Sequence, residues 1–196
     1  MDTSSSAHMR KKELREKMLA LRRALSASMI KTMAVPLCDR ICSMPEYRKA
    51  RRIMAFLSMP GEADLDRWIQ RALTDGKEIY IPMCLPERQM EAGRLKSLED
   101  VTEGAFGLRA LPEGYDVISP ESIDLVLIPA VACGRDGSRL GMGAGYYDRF
   151  LPKVDYIRRI ACVWDFQVVD SVPHEDLDQP VAAVVTEKRL IPTSRS

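Results

Sequence analysis

Ile123-Asp-Leu-Val-Leu-Ile-Pro129 reads as a strand buried on both faces, and a polar, glycine-rich segment follows it. That segment ends in Arg139-Leu140-Gly141-Met142-Gly143-Ala144-Gly145-Tyr146-Tyr147-Asp148-Arg149, after which residues 146–151 open a helix. Strand, glycine loop, helix is the connection of an open α/β sheet, in which ligands sit outside the carboxyl ends of the strands. Glycines at 141, 143 and 145 are read as turning with positive φ and letting a ligand approach the backbone. Their N–H groups and the helix start suit an anion, phosphate above all, and Arg139 adds a planar donor fork. The loop lacks the Gly-Lys-Ser/Thr of a Walker A motif, and its third glycine falls one residue early for a dinucleotide G-x-G-x-x-G. Asp148 suits a Mg²⁺ site, since Mg²⁺ takes one or two carboxylates plus phosphate oxygens. A partner for the helix dipole is the plainer role for the same residue.

The rest of the chain fits that sheet. Helical patterns cover residues 10–26 and 29–42, the second with Pro36 as a kink or break. Residues 52–57 form a strand that ends in the Ser58-Met-Pro-Gly-Glu62 turn; 65–74 form a helix and 77–82 a strand. Residues 84–122 are weakly patterned, consistent with short strands and long loops. Residues 158–163 and 182–186 supply two more strands. Strands separated by helices imply an α/β fold, a single three-layer domain with an open, mostly parallel sheet and helices on both faces.

Composition narrows the function. Lys+Arg is 29 against Asp+Glu 28, a balance unlike that of a dedicated nucleic-acid binder. No apolar run approaches the ~20 residues of a membrane span. Five cysteines without a C-x-x-C pair, beside two histidines, argue against a zinc site and for buried thiols in a reducing cytoplasm. Residues 1–8 have no apolar core of a signal peptide and read as a disordered extension or tag remnant, leaving 9–196 as the domain.

The first helix carries a charge pattern. Leu14, Met18, Leu21 and Leu25 form a narrow apolar stripe, and at ~100° per residue Lys11, Arg15 and Arg22 fall together beside it. A solvated basic face with snorkelling side chains accounts for the pattern taken alone.

The motif from Arg139 to Leu151 closely resembles the signature of the 5-formyltetrahydrofolate cyclo-ligase family. Lys11-Lys-Glu-Leu-Arg15, Phe56-Leu-Ser-Met-Pro-Gly-Glu62, Asp165-Phe-Gln167 and residues 173–187 are similar to further pieces of that family, in the family's order. The resemblance implies a fold like the sugar-phosphate isomerase and CoA-transferase group. It implies ATP- and Mg²⁺-dependent closure of 5-formyltetrahydrofolate to 5,10-methenyltetrahydrofolate by a cytoplasmic enzyme, with a monomer expected. Lys11 and Arg15 would then meet ATP phosphates, and residues 139–147 (Arg139, Leu140, Gly141, Met142, Gly143, Ala144, Gly145, Tyr146, Tyr147) would line the ATP site. Arg139 and Tyr146 would be catalytic. Leu57, Glu62 and residues 142–146 would touch the folate, and Asp148 and Asp178 would hold Mg²⁺. The chain departs from the family at Cys133-Gly134, at Leu177 (usually His), at Ala182 (usually Asp), at Leu65 (usually Thr) and around Arg109-Ala-Leu-Pro112. The departures gather on the folate side. A folate- or nucleotide-binding relative without turnover, and an ATP-dependent enzyme on another N-formyl or amide substrate, therefore stay open beside the cyclo-ligase reading.

Overall fold

In the computed structural model the described residues are 3–104 and 108–193. The parallel core is built from β1 (Arg52–Met54), β2 (Glu78–Cys84), β7 (Leu125–Ile128), β10 (Arg159–Cys162) and β12 (Ala183–Val185). These stand in the spatial order β12-β10-β7-β1-β2, with every neighbouring pair parallel. Antiparallel strands close both edges: β13 (Leu190–Pro192) beside β12, and β3 (Met90–Leu95) then β6 (Val117–Ile118) beside β2. The mostly parallel sheet is as expected. Chain direction across it reverses between β1 and β7, the switch point where such sheets open a crevice at their carboxyl ends.

Alternation along the strands makes two cores. Ile53, Ile79, Leu125, Leu127, Ile160 and Val185 face one side and pack under α2 (Ala27–Ser43), α3 (Pro45–Lys49) and α4 (Asp66–Thr74). Met54, Tyr80, Val126, Ile128, Ala161 and Val184 face the other, under Phe150, Leu151 and Val154. That second layer is thin, since its helix α5 (Tyr146–Phe150) has five residues. Pro36 lies inside α2 without breaking it, on the exposed side of the helix. Ser26 caps α2, its hydroxyl accepting from the Met29 N–H at 3.1 Å.

Two features depart from the sequence reading. Helix α1 (Thr3–Arg23) opens well before residue 10, so residues 3–8 continue the helix and Ala7 is buried, in place of a separate disordered extension. The segment after β7 is not plain loop. It folds into β8 (Ala132–Gly134) and β9 (Arg139–Leu140), which join β11 (Val168–Val169) in a small sheet ordered β11-β8-β9. Met18 of α1 clusters with Ala132 and Leu140 of this sheet and with Val131 and Val172 beside it. β4 (Thr102–Glu103) and β5 (Arg109–Ala110) pair as a separate ribbon.

Candidate active site

The inward face of α1 is cationic. Lys11 and Arg22 are 6% and 4% exposed, while Leu21 of the expected apolar stripe is 43% exposed. Residues 11, 15, 18 and 22 share one face at helical spacing, so Met18 anchors the helix while the three cations aim at the rest of the protein. Lys11 and Arg22, 11 residues apart, stand about 16 Å from each other along the axis.

Arg15 bridges to the glycine loop, its Nε donating to the Gly141 carbonyl at 3.0 Å. Gly143 (φ +102°) and Gly145 (φ +76°) take the left-handed backbone that glycine tolerates. Gly141 does not, which corrects the expectation of three positive-φ glycines. A Cβ there would stand 3.1 Å from Arg139 Nη1, so close approach is its constraint. Gly145 is the N-cap of α5 and hands the chain to Tyr146, Tyr147 and Asp148. Met142, Gly143 and Ala144 are exposed at the loop crest.

Arg139, 5% exposed, pairs with Asp148 and lies over the Tyr147 ring at 5.7 Å. Asp148 also accepts from the Gln179 N–H at 3.4 Å, which sets Asp178 beside it in the chain. Asp178 accepts from Lys11 and from the Glu175 N–H, and Lys11 donates also to Glu175 at 2.9 Å. Toward the other end of α1 stands Glu62, 7% exposed, with Arg22 Nη2 3.3 Å from its Oε1 and the Met59 N–H 3.0 Å from its Oε2. Burial pushes the Glu62 carboxyl above the usual carboxylate range, against the pull of Arg22 and the Met59 N–H. Burial likewise pushes the Tyr147 phenol up, with Glu62 adding to it.

Several polar atoms here are buried with nothing to bond: Arg22 Nε and Nη1, Arg139 Nε, and the Tyr147 hydroxyl. Such atoms are costly in a closed interior, and of those among the described residues only Trp68 Nε1, in the α2–α4 core, lies away from this site. Asp148 and Asp178 are carboxylates of the kind Mg²⁺ takes beside phosphate oxygens, related through Gln179, which follows Asp178 in the chain and whose N–H meets Asp148. Among the described residues no group of three or more His, Cys, Asp or Glu gathers as a metal cluster, so substrate oxygens must complete such a site.

The other expected residues lie as follows. Tyr146 reaches away from the glycine loop, its hydroxyl donating to the Leu85 carbonyl just past β2 at 3.4 Å. Leu57 packs against the α2–α4 core and Leu140 points into the small-sheet core, so both shape the site from behind. Cys84 is exposed, unlike the buried Cys38, Cys133 and Cys162. Arg22, Glu175, Gln179 and Trp164 carry no assignment from the sequence. Trp164 Nε1 donates to the Gly61 carbonyl at 3.1 Å and pins the Glu62 turn. Leu177 is 79% exposed, and His174 Nδ1 instead stands 4.0 Å from the Asp178 carboxylate. Cys133-Gly134 is β8 backbone, and a Cβ at Gly134 would meet Asp136 Oδ1 and Ser138 Oγ at 2.2 Å.

The profile of the 5-formyltetrahydrofolate cyclo-ligase family matches residues 7–187, from the start of α1's cationic face to beyond the last site residue. The chain belongs to that family. The 5-formyltetrahydrofolate cyclo-ligase of Escherichia coli strain K12 is 30% identical over 177 residues, covering 86% of this chain and 96% of its own. The solution structure of a 5,10-methenyltetrahydrofolate synthetase from Aquifex aeolicus superposes with a TM-score of 0.82 at 32% identity, over 95% of each chain. A synthetase of the same name from Mycoplasma pneumoniae, 19% identical, shares the fold with a TM-score of 0.73, over 90% of this chain and 98% of its own. The cyclo-ligase fold thus accommodates the departures noted above. No helix among the described residues is long and apolar enough to cross a membrane.

Proposed function

We propose that the protein closes 5-formyltetrahydrofolate to 5,10-methenyltetrahydrofolate, consuming ATP with Mg²⁺ and releasing ADP and phosphate. The observation that carries this reading is the pair of polar settings at the two ends of α1's inward face. Cations beside the glycine loop at one end suit phosphates, and the buried carboxylate paired with Arg22, about 16 Å further along the helix axis than Lys11, suits a ring with adjacent N–H donors.

The chemistry needs a good leaving group. An amide oxygen is a poor one, and its phosphate ester is a good one. The formyl oxygen takes the γ-phosphoryl group as ADP leaves. N10 then attacks the activated carbon, loses its proton, and phosphate departs with the oxygen as the ring closes. The protein's work is alignment and charge neutralisation. Lys11 and Arg15 balance the phosphates, and the N–H groups of residues 141–145 hold them. Arg139 neutralises charge as the phosphoryl group moves, while Tyr146 braces the loop against the end of β2. Asp148 and Asp178 would hold Mg²⁺, which supplies neutralisation of phosphate charge when bound. Glu62 accepts from the amino group and ring N–H of the pterin, with residues 142–146 walling the space between. Of the pair expected to be catalytic, Arg139 keeps that role here, and Tyr146 acts as a positioning residue through its bond to the Leu85 carbonyl.

A substrate bearing a heavy-oxygen label in its formyl group tests this sequence of steps. The label is expected in the released phosphate, one per methenyl product. Product formed with the label in water, or without ATP consumption, contradicts it.

A further inference from the structure

We infer that Arg22 is a positioning residue for the folate end of the site, holding the Glu62 carboxylate charged and fixed so that it accepts N–H groups from the substrate. The inference rests on the proposed reading of Glu62 as the carboxylate that meets the folate ring.

The contact between the two is a poor stabilising element. Arg22 uses Nη2 alone, for Glu62 and for the Pro60 carbonyl at 3.2 Å. Its Nε and Nη1 are buried without partners, so the two-pronged guanidinium–carboxylate geometry is not made. A buried ion pair of this kind seldom improves on well-packed apolar side chains, and unmet donors make it worse. Its effect on Glu62 is another matter. Glu62 is faced by Arg22 from α1, by the Tyr147 phenol from α5, by the Cys162 thiol from β10 and by the Met59 N–H of its own turn. Arg22 is the one cation within ion-pair distance among the described residues. Burial alone drives this carboxyl toward its protonated form. A protonated Glu62 would donate where the substrate also donates.

The turn is seated so that this effect is specific. Gly61 has φ +78°, and a Cβ there would stand 2.9 Å from the Arg22 carbonyl oxygen, so the turn rests directly on α1 at Arg22. Trp164 holds it from the opposite side. Position and charge of Glu62 are thus both set from one residue of α1, eleven along from Lys11 at the phosphate end.

The test uses the full chain with side-chain carboxyl-labelled glutamate, the Glu62 signal being assigned by its loss in Glu62→Gln. In the wild-type protein the signal is expected to be that of an ionised carboxylate through the neutral range. In Arg22→Gln it is expected to titrate at a higher pH than in the wild type, since burial then acts without the opposing guanidinium. In the same variant the KM for 5-formyltetrahydrofolate at neutral pH rises by about tenfold to a hundredfold and recovers as pH rises, while the KM for ATP stays within about twofold. Arg22→Lys keeps a charge and restores the flat pH profile. A wild-type Glu62 that is neutral at neutral pH overturns the inference, and so does a folate KM in Arg22→Gln that is unchanged or raised equally at every pH. Should Arg22→Gln fail to fold, the wild-type titration and Arg22→Lys decide the matter alone. A wild-type chain that makes no methenyl product, while the Glu62 signal behaves as stated, contradicts the proposed function and supports the role of Arg22.

Discussion

The two ends of the parallel sheet handle polar groups in opposite ways. At the amino ends of the strands, charges are partly exposed and their partners are complete. Asp124 accepts from the backbone N–H groups of Arg51 and Arg52 and from the Arg52 side chain. Glu78 meets Arg51, Arg94 and the Tyr80 hydroxyl, and Lys77 donates to the Arg48 and Ala50 carbonyls. At the carboxyl ends, Arg22, Arg139 and Tyr147 keep buried polar atoms with nothing to bond. Satisfied groups at the first end contribute stability; unmet ones at the second are poised for a ligand. The same sheet therefore divides holding the fold from doing the chemistry.

Substitutions at each end should separate the two roles. The largest effect is expected at Asp148. Asp148→Asn should lower kcat by about 10²–10³-fold, in line with loss of a preorganised charge, with the far-ultraviolet circular dichroism unchanged; near-normal Mg²⁺-dependent turnover would remove this residue from the metal site. Lys11→Ala should raise the KM for ATP by about tenfold, the worth of one charge-assisted contact, and leave the folate KM within about twofold. An unchanged ATP KM would return Lys11 to a structural partner of Glu175 and Asp178.

At the opposite end, Asp124→Ala should cost about 1–2 kcal/mol and lower Tm by roughly 3–6 °C without altering kcat. Burial works against the Asp124 charge, but the Arg52 and Arg51 N–H groups and the Arg52 guanidinium outweigh it, so its carboxyl is held below the usual range. A depressed folded pKa means this stability is complete above the unfolded value of about 3.9 and is lost as pH falls through the folded one. The Tm gap between wild type and variant should accordingly close in acid; a gap that widens there would contradict the assignment. The smallest effect concerns Tyr147→Phe, which removes a buried hydroxyl without a partner. Its Tm should hold or rise by the equivalent of about 1 kcal/mol or less, whereas a clear drop in thermal melting would show that the hydroxyl is already bonded and blur the contrast.

How much of this was legible beforehand follows from range. The buried strand and the strand–glycine loop–helix order are local patterns and stand where they were expected, and Lys11, Arg15 and Arg22 share one side of α1 as their spacing implies. The small sheet was not legible because β9 and β11 have two residues each, too few to show a period. The early start of α1 was hidden because Ser4, Ser5 and Ser6 look like linker composition. The apolar stripe misjudged Leu21 because Lys11 and Arg22 take the centre of the buried face, which hydrophobicity alone cannot foresee. The Arg22–Glu62 pair joins residues 40 apart in sequence, and it forms only because the turn after β1 seats on α1 at Arg22.

The most direct test of the account is turnover by the purified wild-type chain. It is incubated with 5-formyltetrahydrofolate, Mg²⁺ and ATP, with ATP left out of the control, and methenyltetrahydrofolate is followed by its absorbance. Product that appears only with ATP is the predicted result. Folded protein that binds ATP yet forms no methenyl product would contradict the account, and would mean that the phosphate end serves a different substrate.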